Sequence, residues 1–271
     1  MKLKFIGNKI RPLDAQINKS EPSLVPKLPF TCQLVGSKGS SKTSTILNML
    51  LNKNILNGKF ERIFFISPTS HLDEKLNVLK EHNVKCFNYP LINELKKNRK
   101  NTLKITDDPT NLPENNLKLS DQDFIEDVST SFLQELIKEQ KYIIEKYGKK
   151  LADNILLIYD DCASEKKFFN SEITKKLIYN SRHVKISIIF SVQNYTSISK
   201  PIRLNNSILL LYTTSNEKEL KNIYEENSCS HNFKEFCEKF HKVTDIPFSF
   251  LTINYQNDLT HRYENNFENF I

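Results

Sequence analysis

One stretch of this chain limits its fold more than any other. An apolar run at residues 30–35 is followed by a loop of small residues at 36–43 and then by apolar residues at helical spacing over 45–51. A strand that leads through a glycine-containing loop into a helix is the arrangement of a phosphate-binding P-loop. The stretch therefore predicts an α/β fold whose first core strand ends at a nucleotide site.

Each residue type in this loop has a chemical reason to be there. Gly36 and Gly39 let backbone N–H groups turn toward phosphate oxygens, and the start of the helix adds partial positive charge. Lys42 is expected to reach the β- and γ-phosphates, and the Thr43 hydroxyl is expected to bind Mg²⁺. The candidate nucleotide-binding residues are Gly36, Ser37, Lys38, Gly39, Ser40, Ser41, Lys42, Thr43 and Ser44.

Ser41 departs from the usual motif, which has glycine directly before the lysine. A Cβ at this position is expected to crowd the loop where the backbone passes closest to phosphate. Two interpretations stay open on these residues alone: a phosphate loop that binds less tightly, and a plain strand–helix turn without a ligand.

The bulk composition fits one large α/β domain. The 271 residues include 38% hydrophobic side chains, which is enough for a full core. The net charge of +7 and the pI of about 9.0 favour a polyanionic partner. Five scattered cysteines without CxxC pairing argue against a disulfide framework, and no apolar run is long enough to cross a bilayer. We therefore expect a soluble protein that is not secreted and does not bind a membrane.

A second motif ends in two carboxylates. Five apolar residues at 155–159 precede Asp160 and Asp161, which predicts a buried strand with its acids at the edge where open α/β sheets bind ligands. Asp160 is expected to bind Mg²⁺ together with Thr43, and Asp161 to polarise an attacking water. The alternative is that both acids cap the following helix.

Gln193 directly follows another apolar strand, at 186–192. An amide there can hydrogen-bond the γ-phosphate or the attacking water, so Gln193 is a third candidate catalytic residue. The alternative is an ordinary amide at the end of a strand.

The distribution of prolines, polar stretches and apolar runs predicts how the chain is divided into segments. We predict an extended arm at 1–26 and a P-loop domain at 27–271, with a polar insertion near 93–120 and a helical and hairpin extension from about 216. Further predicted elements are strands at 62–68 and 208–212, a long amphipathic helix at 124–147, helices at 216–227 and 231–242, and a hairpin of 248–255 with 260–263. Four potential zinc ligands, Cys229, His231, Cys237 and His241, lack the usual spacing, so a core-facing helix is the preferred interpretation.

Together these motifs resemble the viral genome-packaging ATPases of the FtsK–HerA superfamily. The branch that they resemble is that of poxviruses and other large DNA viruses, virophages and Polinton-like elements. The resemblance covers roughly residues 27–215. It rests on the phosphate loop, the strand ending in Asp160 and Asp161, the helix ending in residues 180–183, the strand ending in Gln193, and the pattern Pro-x-Arg-x-Asn at 201–205.

The resemblance implies a RecA-like P-loop NTPase of the ASCE type, an α/β fold with a central, mostly parallel sheet flanked by helices. We expect the acid strand to lie beside the phosphate-loop strand, so that one Mg²⁺ links Thr43 and Asp160 through bound phosphate. If these ends lay on non-adjacent strands, or too far apart for one ion, this interpretation would fail and only a basic α/β protein of unknown purpose would remain.

The resemblance also implies a function. The chain would hydrolyse ATP with Mg²⁺ and pull double-stranded DNA, gripped through its backbone, into a capsid. It would work as a homo-oligomeric ring in contact with capsid vertex proteins, in a virus factory of the host cytoplasm or in the virion. Arg182 falls where related translocases carry an arginine that reaches the neighbouring subunit's nucleotide, and Arg203 is the competing candidate. Such an arginine is worth about 10³–10⁵ in rate.

Two other classes of function stay open. The first is a P-loop kinase or small-molecule NTPase, whose turnover would be indifferent to DNA. The second is a non-hydrolysing scaffold with a degraded phosphate loop, which Ser41 alone supports.

Overall fold

The computed structural model describes residues 22–70, 73–98, 116–162, 164–227 and 232–271. Its strands in chain order are β1 (Thr31–Val35), β2 (Arg62–Ile66), β3 (Lys85–Cys86), β4 (Asn116–Leu117), β5 (Phe124–Ile125), β6 (Ile155–Asp160), β7 (Ile186–Val192), β8 (Ile208–Tyr212), β9 (Phe250–Asn254), β10 (Tyr263–Asn265) and β11 (Asn269–Phe270). Within the described ranges, nine strands form one sheet in the order β11-β10-β9-β8-β1-β7-β6-β2-β5, and β3 pairs with β4.

The central strands of this sheet are parallel, and both of their faces are covered. Along the sheet, each neighbouring pair in the series β8-β1-β7-β6-β2-β5 is parallel, whereas β9, β10 and β11 add an antiparallel edge. Every residue of β1, β6, β7 and β8 is buried. Continuous apolar strands are typical of parallel sheets with helices on both faces. The predicted α/β architecture is therefore confirmed.

Two helical layers enclose the sheet. The helices are α1 (Lys42–Leu51), α2 (Asn77–Glu81), α3 (Tyr89–Asn98), α4 (Thr130–Tyr147), α5 (Lys166–Phe169), α6 (Glu172–Val184), α7 (Lys200–Arg203), α8 (Glu217–Asn227) and α9 (Phe233–Thr244). One core joins α4, α6, α8 and α9 to side chains such as Leu157 on β6. The other joins α1 and α2 to Leu156 and Ile158, which point to the opposite face.

The acid strand does not lie beside the phosphate-loop strand, so this prediction was wrong. β7 separates them, pairing with β1 on one side and with β6 on the other. Two strand spacings amount to about 10 Å, a gap that the loop after β1 and the first turn of α1 cross. Adjacent strands were therefore too strict a condition for a shared metal site, and the distance between the two motifs decides the question.

The predicted helix at 124–147 was wrong at its start. Phe124 and Ile125 form an edge strand that pairs with Phe65 and Ile66 of β2. The helix begins at Thr130. Ser129 caps it, because the Ser129 hydroxyl accepts a hydrogen bond from the Phe132 N–H. Apolar residues at 124 and 125 fit a helical pattern and a strand equally well. Here they form a strand because they pair with the edge of the sheet at β2.

The predicted hairpin near the carboxyl end is confirmed with shifted bounds. β9 pairs antiparallel with β10, and Ile253 lies opposite Tyr263. The strand begins at Phe250, whereas Phe248 is exposed and has a φ of 65°. Phe248 therefore belongs to a turn before the strand.

Much of the predicted arm and insertion lies outside the described residues, at 1–21 and 99–115. In the described segment before β1, the Ser23 and Lys27 N–H groups donate to the side chains of Asn257 and Gln256, at 3.1 and 2.7 Å. These bonds fasten that segment to the loop after β9. The division into arm, domain and insertion stays a prediction.

Candidate nucleotide-binding site

The loop between β1 and α1 needs glycine at two positions, for different reasons. A Cβ on Gly36 would lie 2.6 Å from the Ser40 Oγ and 2.7 Å from the Tyr212 Cβ, closer than real contacts allow. Gly39 has open space around it but a φ of +85°, which L-residues rarely adopt. The first glycine is required by close packing and the second by backbone conformation.

Ser41 also has a left-handed backbone, with a φ of 71° and a ψ of 20°. It directly precedes α1, yet its side chain makes no capping hydrogen bond to the helix. A residue with a Cβ is disfavoured in this conformation. Ser41 therefore stands where the backbone itself favours glycine, which explains why the motif normally has glycine there.

Lys42 points back into the phosphate loop. Its Nζ donates to the carbonyl oxygens of Gly36 and Ser37, at 2.7 and 2.9 Å, and the residue is buried. Burial lowers the pKa of Lys42, and the charges of Asp161 and Asp160 oppose that shift. The ammonium group thus lies at the centre of the loop, where phosphate oxygens can replace the carbonyl oxygens as its partners.

The Thr43 hydroxyl donates a hydrogen bond of 2.8 Å to the Oδ2 of Asp160. Asp160 is the buried last residue of β6. Burial raises the pKa of this carboxyl group, and the hydrogen bond from Thr43 acts in the opposite direction. A hydroxyl and a carboxylate in contact at the start of a helix are oxygen ligands of the kind that Mg²⁺ binds beside phosphates. These two residues therefore fit the expected metal.

Asp161 and Gln193 lie at the same edge of the sheet. Asp161 is exposed directly after β6 and has a φ of 53°. Gln193 is exposed directly after β7, and it lines a cavity of about 450 Å³ together with Ser37 and Lys38. The structure thus brings both candidate catalytic residues to the edge where the phosphate loop lies.

Arg182 lies at the opposite edge. It is exposed in the last turn of α6, just before the start of β7. There it lines a polar groove of about 340 Å³ with Thr31, the first residue of β1, and with Asn205. The structure does not bring Arg182 to the phosphate loop of its own chain, so any role in hydrolysis requires a second subunit.

Arg203 is held inside the molecule. Its Nη2 and Nε donate to the two carboxylate oxygens of Glu226, at 2.6 and 3.0 Å, and its Nη1 donates to the Ile198 carbonyl oxygen at 2.6 Å. The guanidinium also lies 4.8 Å from the centre of the Tyr195 ring. A buried arginine with these partners is a structural residue, so the geometry favours Arg182 as the candidate for action in trans.

Two residues at the site were not predicted. The Tyr212 hydroxyl, at the end of β8, donates to the Thr45 Oγ1 at 2.6 Å, and the Tyr212 side chain packs closely against Gly36. Buried Glu219 accepts hydrogen bonds from the Tyr195 N–H at 2.7 Å and from the Thr214 hydroxyl at 3.3 Å. Neither residue belongs to a motif. Tyr212 comes near the loop because β8 pairs with β1, and Glu219 because α8 lines the same cavity as Gln193.

Other predicted features can be checked only in part. Cys229 and His231 lie outside the described residues, and the part of the chain that is described contains no cluster of three potential metal ligands. Cys32, Cys86, Cys162 and Cys237 are all free thiols. Among the residues that the structure describes, no helix has the length and apolar character to span a bilayer.

Comparison with protein families gives a match to part of the chain. Residues 123–245 match the family model described as Poxvirus A32 protein. The predicted resemblance to the poxvirus-type branch is confirmed. The part matched to the A32 family contains β6, β7 and β8, and with them Asp160, Asp161, Arg182 and Gln193, whereas the phosphate loop precedes it.

Similar viral proteins match about a third of the chain. Uncharacterized protein 075L of Invertebrate iridescent virus 6 is 37% identical over 94 residues, which are 34% of this chain and 35% of that protein. Uncharacterized protein L437 of Acanthamoeba polyphaga mimivirus is 29% identical over 109 residues, 36% of this chain and 38% of that protein. The match thus spans little more than a third of the length of these curated relatives.

Solved structures with a similar fold include the genome packaging NTPase B204 from Sulfolobus turreted icosahedral virus 2. Its complexes with AMPPCP and with AMP each align with a TM-score of 0.50 and 16% identity, covering 85% of this chain and 95% of that chain. At this identity the likeness concerns the fold alone. It confirms the predicted P-loop α/β fold with a mostly parallel central sheet.

Proposed function

We propose that this protein is an ATP-driven translocase that packages double-stranded viral DNA into a capsid. The observation that carries the proposal is the contact between Thr43 and Asp160, 2.8 Å between the two oxygens. It joins the two motifs that P-loop enzymes use to hold a triphosphate and its metal. The match to the Poxvirus A32 family supports the choice of substrate, and so does the similar fold of B204, a genome packaging NTPase.

The proposed roles follow from position. Thr43 and Asp160 would hold Mg²⁺, which offsets the negative charge of the β- and γ-phosphates when bound. Lys42 and the N–H groups of the loop at 37–43 bind phosphate oxygens. Asp161 polarises the attacking water, and Gln193 orients this water or the γ-phosphate.

The DNA partner is proposed from charge and from the relatives. The net charge of +7 and the pI of about 9.0 suit binding to the DNA backbone without sequence readout. We expect the affinity for double-stranded DNA to fall steeply as salt rises, because each phosphate contact releases counterions. We further propose a homo-oligomeric ring, contact with capsid vertex proteins, and a place in the virus factory or the virion.

The test is the rate of ATP hydrolysis with and without double-stranded DNA, with Lys42→Ala as the inactive control. Stimulation by DNA that Lys42→Ala abolishes is the expected result. Turnover that ignores DNA indicates a kinase or small-molecule NTPase. Absence of turnover in every condition indicates a non-hydrolysing scaffold.

A further inference from the structure

A second cavity adjoins the phosphate loop and shares Ser37, Lys38, Tyr212 and Thr213 with the first. It has a volume of about 230 Å³ and is lined by Gly39 and Ser40 of the loop, by Tyr212 at the end of β8, and by Ile246 and Phe248 from the turn before β9. Its walls therefore combine the loop backbone with exposed apolar side chains. None of the motifs in the sequence accounts for this cavity.

The strand order shows where this cavity lies relative to the proposed metal site. Asp160 ends β6, two strands from β1 on one side. Tyr212 ends β8, which is next to β1 on the other side, and Phe248 precedes β9, one strand further. The cavity therefore lies on the side of β1 that faces away from Asp160.

Phe248 has an unusual conformation on the wall of this cavity. It is 70% exposed and has a φ of 65°, although bulky residues rarely adopt positive φ. The Ser249 N–H donates to the Ile246 carbonyl oxygen at 3.1 Å, which closes a four-residue turn with Pro247 second and Phe248 third. Glycine or asparagine is the usual third residue of such a turn. The chain thus presents an aromatic ring to solvent at a position that suits glycine better.

Two hydroxyl groups of the cavity have partners inside the protein. The Thr244 hydroxyl donates to the Phe240 carbonyl oxygen at 2.9 Å, and the Ser249 Oγ accepts a hydrogen bond from the Asn266 Nδ2 at 3.2 Å. Each hydroxyl thus has one of its hydrogen-bonding positions filled from within the protein. An aromatic face beside an apolar wall is suited to stacking, which tolerates any base.

We propose that this cavity binds the nucleobase of the triphosphate and that the Phe248 ring stacks on it. The inference rests on the proposed function, because it needs a nucleotide in the phosphate loop. Loss of one base–aromatic stack weakens nucleotide binding by about tenfold. The strained turn at Phe248 is then explained by the position in which it holds the ring.

The test compares two ligands by calorimetry: a non-hydrolysable ATP analogue and inorganic tripolyphosphate, both with Mg²⁺. Phe248→Gly removes the ring and relieves the turn, so the variant folds at least as well as the wild type by thermal unfolding. It should bind the ATP analogue about tenfold more weakly and tripolyphosphate equally well. Phe248→Tyr should restore the affinity for the analogue.

Two controls make the result specific. Tyr142→Ala removes another exposed aromatic ring, 54% exposed on α4, and should change neither affinity. Lys42→Ala should lower the affinity for both ligands, which shows that they bind in the phosphate loop. Two results would overturn this inference and leave the proposed function standing. In the first, Phe248→Gly does not change the affinity for the analogue; in the second, it weakens the binding of tripolyphosphate by the same factor. If Lys42→Ala leaves both affinities of the wild type unchanged, the proposed function fails and the inference fails with it.

Discussion

Thr43 and Asp160 are separated by 117 positions in the chain, yet their side-chain oxygens lie 2.8 Å apart. The contact crosses the end of β7, the strand between the two that carry the motifs. It depends on the loop after β1, which places the first turn of α1 above a carboxylate that is two strands away. The geometry of this loop therefore decides whether one metal ion can serve both motifs.

The backbone at Ser41 makes a prediction about stability. Because its φ is 71°, Ser41→Gly should raise the free energy of unfolding by about 0.5–1 kcal/mol. Gly39→Ala, at a φ of +85°, should lower it by about 1 kcal/mol. Urea unfolding of the two variants measures both changes. A Ser41→Gly variant that is less stable than the wild type contradicts the assigned conformation.

Arg203 and Arg182 should behave very differently in unfolding experiments. Arg203→Met leaves the largely buried Glu226 carboxylate without its cation and with only the Tyr195 hydroxyl as a partner, which should cost about 3 kcal/mol. Arg182→Ala, at an exposed position, should change stability by less than about 0.5 kcal/mol. Adding Glu226→Gln to Arg203→Met should recover part of the loss. Equal stability of the two single variants would show that Arg203 is not a structural residue.

A trans role for Arg182 is tested by mixing subunits. Arg182→Ala should keep ATP binding and ring formation but lose turnover, because the arginine acts on the neighbouring subunit's nucleotide. Rings that combine this variant with Lys42→Ala should regain part of the activity, measured as ATP hydrolysis over a range of mixing ratios. Mixed rings as inactive as either parent rule out the assignment.

We expect Glu264 to make the stability depend on pH. It is fully buried, its Oε1 accepts hydrogen bonds from the side chains of Asn254 and Asn257, and burial raises its pKa from 4.5 to about 8. Between these values the folded protein keeps a proton that the unfolded chain releases, so this stabilisation is complete below pH 4.5 and is lost as the pH rises to about 8. The slope is at most about 1.4 kcal/mol per pH unit.

Glu264→Gln should remove that slope. Urea unfolding at pH 5, 6.5 and 8 would show the wild type losing stability relative to the variant as pH rises. Parallel curves for the two proteins would mean that Glu264 is already ionised in the folded state.

The sequence was sufficient for the parts of the site that depend on local pattern. Lys42 and Thr43 follow from a strand, a loop and a helix in direct succession, and Asp160 follows from the end of a buried apolar run. The rule that parallel strands present their carboxyl ends at one edge brought these residues together without knowledge of the sheet order.

Features that depend on distant pairing could not be predicted. The strand order was inferred wrongly because nothing local to β1 or β6 indicates that β7 lies between them. The pair of Arg203 and Glu226 joins two helices through tertiary packing. At Phe248, alternation with Phe250 indicated a strand, but the turn around Pro247 took precedence.

The most direct test of the account asks whether Thr43 and Asp160 share a metal with the bound triphosphate. Electron paramagnetic resonance of Mn²⁺, used in place of Mg²⁺ with a non-hydrolysable ATP analogue, reports metal bound to the protein and its coupling to phosphorus. We predict a protein-bound signal coupled to phosphorus in the wild type that is lost when Thr43→Ala and Asp160→Asn are combined. An unchanged signal in that double variant would contradict the account.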